Sequence, residues 1–183
     1  MEKKDLKPAG VFKYFEEICQ VPRPSKKEEK MIAYLKAFGA KHNLETKVDE
    51  AGNVLIKKPA TPGKENLQTV VLQSHIDMVC EKNNDVQHDF LTDPIETEID
   101  GEWLKAKGTT LGADNGIGVA TELAILADDS IEHGPLECLF TVDEETGLTG
   151  AFALQEGFMS GDILLNLDSE DEGEIFIGCA GGI

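Results

Sequence analysis

The fold is decided by the stretch Val70-Val71-Leu72-Gln73-Ser74-His75-Ile76-Asp77, an apolar run that ends in an imidazole and a carboxylate. Two later stretches have the same form. Leu136 to Val142 leads to Asp143-Glu144-Glu145. Ile163 to Leu167 leads to Asp168. We expect three buried strands whose C-terminal ends lie along one edge of a parallel sheet, which is where α/β proteins bind ligands. Imidazole and carboxylates at that edge predict a polynuclear metal site.

Apolar residues at helical spacing predict the helices that cover this sheet. The first helix ends before Pro22, and Ser25 with Glu28 three residues later has the form of a capping box that opens the second. Their apolar positions are Val11, Phe12, Phe15, Ile18 and Cys19, and then Met31, Ile32, Leu35 and Phe38. A third helix begins after Gly112, and a short fourth covers about Leu148 to Gln155. Strands alternating with helices predict an α/β layered fold with a largely parallel central sheet flanked by helices.

Five shorter strands are expected outside this parallel centre. They are Glu45–Val48, Val54–Lys57, Ile95–Ile99, Trp103–Ala106 and Ile175–Ile177. Turns at Gly52-Asn53 and at Asp100-Gly101 would join the first four into two hairpins. The last strand precedes a glycine-rich stretch, Gly178 to Gly182.

Composition narrows the possible partners and the compartment. The 183 residues include 35 acidic and 17 basic side chains, a formal charge of -18, which disfavours nucleic acid and anionic membranes as partners. No apolar run predicts a secretory signal or a membrane span. The four cysteines form no CxxC pair, so Cys19 and Cys138 are expected to be reduced, packed thiols. A cytoplasmic location follows from these observations.

His75 and Asp77 stand at positions i and i+2, so they point to the same side of an extended strand. A ligating imidazole commonly donates its other N–H to a carboxylate, so the pair can supply a ligand and its orienting partner. A buried, hydrogen-bonded structural pair is an equally good interpretation. Asp114 follows the Gly112 turn, where an aspartate usually caps a helix. Its two oxygens could instead bridge two cations.

Glu144 and Glu145 lie where a strand meets a loop, so both can reach one cleft. One could hold a metal ion while the other takes a proton from water, whereas without a cation the two carboxylates would raise each other's pKa. The alternative is a solvated acidic turn, to which we assign Asp143. Asp168 ends an apolar run, where an acid is unexpected unless it is paired. Nitrogen and carboxylate ligands favour zinc, cobalt or manganese.

Two other kinds of binding loop are excluded by single residues. Asp168 to Gly173 begins like a calcium-binding loop, but Cys179 stands where such a loop needs a bidentate glutamate. Gly116-Ile117-Gly118 lacks the third glycine of a dinucleotide fingerprint, since Thr121 occupies that place.

Four motifs in this order resemble those of the aminoacylhistidine dipeptidases. They are Ser74 to Asn83, Leu111 to Gly118, Val142 to Gly150 and Leu167 to Glu170. This family, also called Xaa-His or cytosolic non-specific dipeptidases, belongs to the co-catalytic di-zinc exopeptidases. The resemblance extends from Phe12 to Gly182.

The resemblance implies a ligand set for two divalent ions. His75 would bind the first ion, and Asp168 would complete its ligands. Asp114 would bridge both ions, and Glu145 would bind the second. Zn²⁺ is the expected metal, with Co²⁺ or Mn²⁺ as alternatives. Two such ions about 3.5–4 Å apart can activate a shared water for hydrolysis.

The resemblance also implies the remaining catalytic roles and the substrate. Asp77 would orient His75, and Glu144 would be the general base that takes a proton from water and later gives it to the leaving amine. The implied substrates are short peptides with a free N-terminus, including Xaa-His dipeptides such as carnosine. An N-acyl amino acid amidohydrolase or a non-catalytic metal-binding module are the alternative functions.

Members of this family are longer than the present chain. Residues 1–183 would be the amino-terminal part of the catalytic domain, without the lid (dimerisation) domain and the remaining catalytic segment. The remaining catalytic segment would supply one more metal-binding histidine and the groups that bind the substrate carboxylate. The resemblance also implies that the full-length protein is a homodimer. We therefore expect weak binding of a second ion and little or no activity from this chain alone. His88, in a polar stretch, is a minor candidate for an additional ligand, whereas His42 and His133 are expected to be structural or exposed.

Overall fold

The structure is a computed structural model that describes residues 2–169 and 173–178. Its α-helices are α1 (Ala9–Cys19), α2 (Glu29–Lys41), α3 (Ala113–Ala127) and α4 (Thr149–Ala153). Its strands are β1 (Glu45–Val48), β2 (Val54–Lys58), β3 (Val70–His75), β4 (Thr97–Asp100), β5 (Trp103–Ala106), β6 (Leu136–Thr141) and β7 (Ile163–Asn166). A short 3-10 helix covers Lys3–Asp5.

The central sheet has five strands in the order β1-β2-β6-β3-β7. β3 runs parallel to both β6 and β7, with His75 opposite Thr141 and Gln73 opposite Asn166. β2 pairs with β6 antiparallel, and β1 and β2 form the predicted hairpin. The parallel centre is therefore confirmed, and its three strands end at one edge of the sheet. β4 and β5 form the second predicted hairpin as a separate sheet.

The main core lies between one face of the sheet and helices α1, α2 and α3. Phe15, Ile18, Met31, Leu35 and Leu123 have no more than 1% of their surface exposed. The opposite face has a smaller apolar cluster, in which Leu55, Val71 and Leu139 are buried beneath Leu154, Phe158 and Met159. The sheet is therefore packed more densely on the face covered by α3, the helix that carries Asp114.

The strand β7 differs from its prediction as a buried strand. It lies at the edge of the sheet, and Ile163, Leu164 and Leu165 are 40%, 47% and 48% exposed. An apolar run alone predicts a buried strand, but burial also requires a neighbour on the outer side. The strand expected at Ile175–Ile177 is not formed, and this segment is exposed. The glycine-rich stretch lies outside the described residues from position 179 onward.

The capping box predicted for α2 is wrong, because tertiary contacts use both of its side chains. The Ser25 hydroxyl donates to Asp77 Oδ2 at 2.7 Å. Glu28 is 6% exposed and accepts from the Lys26 and Asp143 backbone N–H groups at 2.9 and 3.1 Å. No side chain caps α2. The loop between α1 and α2 is thus anchored to the strand ends rather than to its own helix.

Two further expectations concern the whole chain. Cys19 and Cys138 are buried and free, and Cys80 is half-buried and free, while Cys179 lies outside the described residues. Among the residues that the structure describes, no helix has the length and apolar character needed to cross a membrane.

Candidate metal centre

Three side chains from separate segments meet at the C-terminal edge of the sheet. His75, Asp114 and Asp168 each offer one ligand atom, and these atoms all lie within 4.8 Å of one another. His75 Nε2 is 3.0 Å from Asp114 Oδ1 and 3.7 Å from Asp168 Oδ1. Ligands about 2.0–2.1 Å from a tetrahedral zinc ion are about 3.3 Å apart. The spacing and chemistry of this donor set therefore fit a divalent cation.

The two ring nitrogens of His75 face different partners. The imidazole is 1% exposed, with Nε2 toward Asp114 and Asp168 and Nδ1 toward Asp77 Oδ1 at 3.3 Å. Burial alone would lower the pKa of His75, but Asp77, Asp168 and Asp114 together raise that pKa to about 9. A bound cation would offset the negative charge of these carboxylates, which is what raises the pKa of His75. The imidazole could then be neutral, as a metal ligand must be.

Asp77 connects the end of β3 with the turn after β6. This carboxylate is completely buried, and it accepts from the Glu144 and Glu145 backbone N–H groups at 3.0 and 3.2 Å and from Ser25. Burial would raise the pKa of Asp77, but His75, the Glu144 N–H and the Ser25 hydroxyl lower it to about 2. Asp77 is therefore a buried anion that accepts three hydrogen bonds and faces His75 Nδ1 at 3.3 Å.

Glu144 and Glu145 are half-buried beside the three candidate ligands His75, Asp114 and Asp168. Glu144 Oε2 lies 3.9 Å from His75 Nε2. Burial raises the pKa of Glu144, and the carboxylates of Asp168 and Glu145 raise it further against the opposing effect of His75. Burial also raises the pKa of Glu145, and Asp114 adds to this. Glu145 lies outside the group of three, so the structure brings together three of the four predicted ligands, and the fourth is near enough to feel the charge of Asp114.

The crowding of carboxylates is a second observation that fits a cation. Burial raises the pKa of Asp168, and Asp114 adds to the effect. Three of the acids at this edge, Glu144, Glu145 and Asp168, thus have pKa values raised in part by other carboxylates. Such mutual repulsion is what a bound divalent ion relieves.

Asp114 does not cap α3, although aspartate at such a position usually does. Gly112 occupies the N-cap position with a φ of +68°, and no side chain caps the helix. Asp114 itself has non-helical dihedral angles (φ -83°, ψ 116°), and its side chain is 64% exposed. Its carboxylate faces His75 at 3.0 Å, so the capping interpretation is wrong and the ligand interpretation stays a prediction.

Asp143 corrects another expectation, because it is not part of a solvated acidic turn. It is 4% exposed with a φ of +49°, and it accepts hydrogen bonds from the hydroxyls of Thr146 and Thr149. Oxygens of Asp143, Glu28 and Asp77 lie within 4.8 Å of one another. Backbone N–H and hydroxyl donors satisfy this buried group, so it forms the support behind the ligands.

The other three histidines lie outside the cluster. His42 is the C-cap of α2 and packs on an aromatic ring of that helix. His88 packs edge-on against Phe90, and His133 Nδ1 lies 2.6 Å from the Gly134 carbonyl oxygen. None of them contributes to a group of candidate ligands within the described part of the chain. The structural assignment of His42 and His133 agrees with this, and the minor candidacy of His88 finds no support.

Two features of the site were missed from the sequence. Arg23 is 2% exposed and donates to the carbonyl oxygens of Ile76, Asp77 and Gly112. Its place between two prolines is the one sequence signal that marks it. A cavity of about 300 Å³ also opens beside Glu144, and its wall is largely apolar: Leu139, Val142, Leu148, Leu154, Met159 and Leu164.

The segments that carry the candidate site also match a known protein family. Residues 71–179, more than half of the chain, match the sequence profile of peptidase family M20/M25/M40. The chain belongs to this peptidase family. The matched residues contain all six predicted site residues of this M20/M25/M40 member, from His75 to Asp168.

Individual M20/M25/M40 relatives support the likeness to aminoacylhistidine dipeptidases, which is confirmed. The cytosol non-specific dipeptidase of Escherichia coli (strain K12) is 54% identical over 182 residues, covering 100% of this chain and 38% of that protein. The crystal structure of aminoacylhistidine dipeptidase from Vibrio alginolyticus has 56% identity and a TM-score of 0.94 over 98% of this chain and 36% of that chain. Aminopeptidase PepT from Bacillus cereus has 26% identity and a TM-score of 0.75 over 88% of this chain. The chain thus spans less than two fifths of the length of the first two relatives.

Proposed function

We propose that residues 1–183 are the amino-terminal, metal-binding part of the catalytic domain of a cytoplasmic dipeptidase. Its substrates are short peptides with a free N-terminus, including Xaa-His dipeptides. The observation that carries the proposal is the meeting of His75 Nε2, Asp114 and Asp168 with Glu144 Oε2 only 3.9 Å from the same nitrogen. The 54% identity to a dipeptidase supports the choice of substrate class.

The proposed cofactor is a pair of divalent ions, most readily Zn²⁺. His75 and Asp168 would hold the first ion, Asp114 would bridge the two, and Glu145 would hold the second. When bound, such ions polarise a peptide carbonyl and make water a better nucleophile. The mutual distances of the His75, Asp114 and Asp168 donors support this assignment.

Glu144 is proposed as the general base. Its carboxylate is half-exposed, so water and substrate can reach it, and burial raises its pKa above the ordinary glutamate value. A base of this kind holds a proton more readily than a free glutamate. Glu144 would take a proton from the attacking water at a carboxylate oxygen. It would then give that proton to the nitrogen of the leaving amine.

Asp77 is proposed to act through His75 and the turn after β6. A buried anion at Nδ1 fixes the ring so that Nε2 faces the ligand cluster. The same carboxylate accepts from the Glu144 and Glu145 N–H groups, so it also fixes the backbone from which the base projects. Asp77 thereby orients both a ligand and the catalytic turn.

The complete protein would include segments outside this chain. The lid domain, the remaining catalytic segment and a further metal-binding histidine would lie there, and the complete protein would be a homodimer. The chain alone would then bind the second ion weakly and turn over substrate poorly. The formal charge of -18 supports a peptide rather than a nucleic acid or membrane partner.

Two measurements test this function. Elemental analysis and equilibrium dialysis of the purified chain should give at least one tightly bound divalent ion per molecule. In the complete protein, Glu144→Gln should keep the metal and reduce dipeptide hydrolysis by about 10²–10⁴-fold. Glu156→Gln, at an exposed acid after α4, is the matched control and should leave hydrolysis unchanged. Undiminished hydrolysis in Glu144→Gln, or preference for N-acetyl amino acids over dipeptides, would contradict the proposal.

A further inference from the structure

Arg23 is a buried cation with an unusual set of partners. Its side chain donates to backbone carbonyl oxygens: Nη1 to those of Ile76 (3.2 Å) and Asp77 (3.0 Å), and Nη2 to that of Gly112 (2.5 Å). Within residues 2–169 and 173–178 it forms no ion pair with a carboxylate. A buried charge of this kind is costly unless all its donors are used. The Arg23 guanidinium therefore contributes more to this region than packing volume.

The three carbonyl groups belong to two segments that carry candidate ligands. Ile76 and Asp77 directly follow His75 at the end of β3. Gly112 lies two residues before Asp114 at the start of α3. One planar side chain thus joins the backbone beside His75 to the backbone beside Asp114, and His75 Nε2 and Asp114 Oδ1 are 3.0 Å apart.

Two glycines in the motif Leu111 to Gly118 leave room for this guanidinium. A Cβ atom at Gly112 would lie 2.5 Å from Arg23 Nη2, and one at Gly116 would lie 2.7 Å from the same nitrogen. Gly112 also has a φ of +68°, which favours glycine. The turn that presents Asp114 is therefore shaped around Arg23, as well as being hydrogen-bonded to it.

The neighbouring residues of the same loop strengthen this connection. The Arg23 carbonyl accepts from the Met78 N–H at 3.2 Å, and Pro24 bridges to Met78 in parallel. Ser25 donates to the Asp77 carboxylate. The loop after α1 is thus attached to the backbone and the side chain of the segment that follows β3, and Arg23 extends this attachment to α3.

We propose that Arg23 is a positioning residue of the metal centre, which holds the end of β3 and the start of α3 at the separation that lets His75 and Asp114 bind the same ion. This rests on the proposed function. A fork with two nitrogens is needed because the carbonyls lie on two segments, and a lysine ammonium cannot reproduce that planar geometry. Arg23 acts through the backbone and touches neither substrate nor metal.

The chain offers a matched control for the loss of a buried cation. Lys58 on β2 is 8% exposed and donates to the carbonyl oxygens of Ile125 and Asp128 at 3.2 and 2.7 Å. It lies opposite Leu136, the first residue of β6, and thus at the other end of the sheet from the metal centre. Arg23→Met and Lys58→Met each remove a buried cation that donates to backbone carbonyls. Arg23 donates to residues beside His75 and Asp114, whereas Lys58 donates near the C-terminal end of α3, far from Asp114.

The test is a Co²⁺ titration of the metal-free full chain, followed by visible absorption and by thermal unfolding. We expect Arg23→Lys and Arg23→Met to weaken Co²⁺ binding by about 10-fold or more and to shift the absorption bands, as changes around metal ligands do. Lys58→Met should lose thermal stability while keeping affinity and spectrum. Arg23→Lys preserves charge and bulk, so it remains informative if Arg23→Met does not fold.

The outcomes separate this inference from the proposed function. Wild-type affinity and bands in a folded Arg23→Lys chain would overturn the role of Arg23 and leave the metal centre intact. An equal loss of affinity in Lys58→Met would also overturn it, since general destabilisation would then explain the effect. If the wild-type chain bound no Co²⁺, the metal centre itself and the inference would both be wrong.

Discussion

The Asp77 carboxylate accepts a hydrogen bond from the Glu144 backbone N–H at 3.0 Å, so one buried anion joins the strand end beside His75 to the turn that bears the proposed base. The pKa of Asp77 is lowered to about 2 against the effect of burial. The relationship makes the orientation of the proposed ligand His75 and the placement of the proposed base Glu144 depend on the same carboxylate.

Asp77→Asn should weaken metal binding by about 10–100-fold, the range for partners that orient a metal ligand. The amide keeps the shape but removes the negative charge at His75 Nδ1 and one acceptor for the backbone N–H groups. Isothermal titration with Zn²⁺ measures the effect. Glu137→Gln is the control, because this buried acid near the start of β6 accepts from Lys57 and from the Ser160 hydroxyl and should affect stability without affecting metal affinity. Equal affinities for the Asp77 variant and wild type would contradict the orienting role.

Asp168→Asn and Glu145→Gln should have different effects on the binding of divalent ions by the chain. Asp168 belongs to the group of three candidate ligands, so its change should lower the affinity for the first ion by at least about 10-fold. Glu145 lies outside that group, so its change should leave the first ion and affect a second, weaker one. Equilibrium dialysis at increasing Zn²⁺ concentration separates the two steps. A loss of the first ion in Glu145→Gln would show that the ligand assignment is wrong.

Glu122→Gln should stabilise the chain at neutral pH and not in acid. Glu122 is completely buried on α3 beside Ser74 and Cys138, and burial raises its pKa well above the ordinary value of 4.5. A raised pKa means that the stability present below pH 4.5 is lost as the pH rises through the folded-state value. An amide cannot ionise, so the variant should gain about 1–3 kcal/mol in free energy of unfolding at pH 7.5. Urea unfolding at pH 4 and 7.5 tests this, and a gain that is independent of pH would contradict it.

The chain of 183 residues should self-associate through β7 at high concentration. Leu164 and Leu165 are 47% and 48% exposed on this edge strand, and exposed apolar edges pair with other chains. Leu165→Lys should shift sedimentation toward the monomer. Leu91→Lys changes a leucine of similar exposure (52%) in a loop and should not. A monomer at all concentrations in the wild type, or equal effects of both variants, would be evidence against this edge.

The errors of the sequence interpretation share one cause, because each depends on tertiary contacts that leave no local pattern in the sequence. Ser25 and Glu28 have the spacing of a capping box, but a cap contributes only about 1 kcal/mol. The buried carboxylate of Asp77 and the N–H of Asp143 compete successfully for these side chains. Nothing in the sequence marks Asp143 as buried, since its hydroxyl partners are three and six residues away and leave no pattern. The apolar composition of β7 predicts burial, but composition does not show whether a neighbouring strand covers its outer side.

The resemblance of four motifs indicated the family. The sequence by itself determined the parallel centre of the sheet and the edge at which His75, Asp77, Glu144 and Asp168 emerge. These follow from local regularities, because an apolar run ending in polar residues specifies both a strand and the place where it ends. Only the tertiary structure decided which ligands meet at one point, and that Asp114 turns to His75 instead of capping α3. It alone revealed Arg23, because a buried cation is stabilised by carbonyls from distant segments, whose meeting depends on packing rather than on any local pattern.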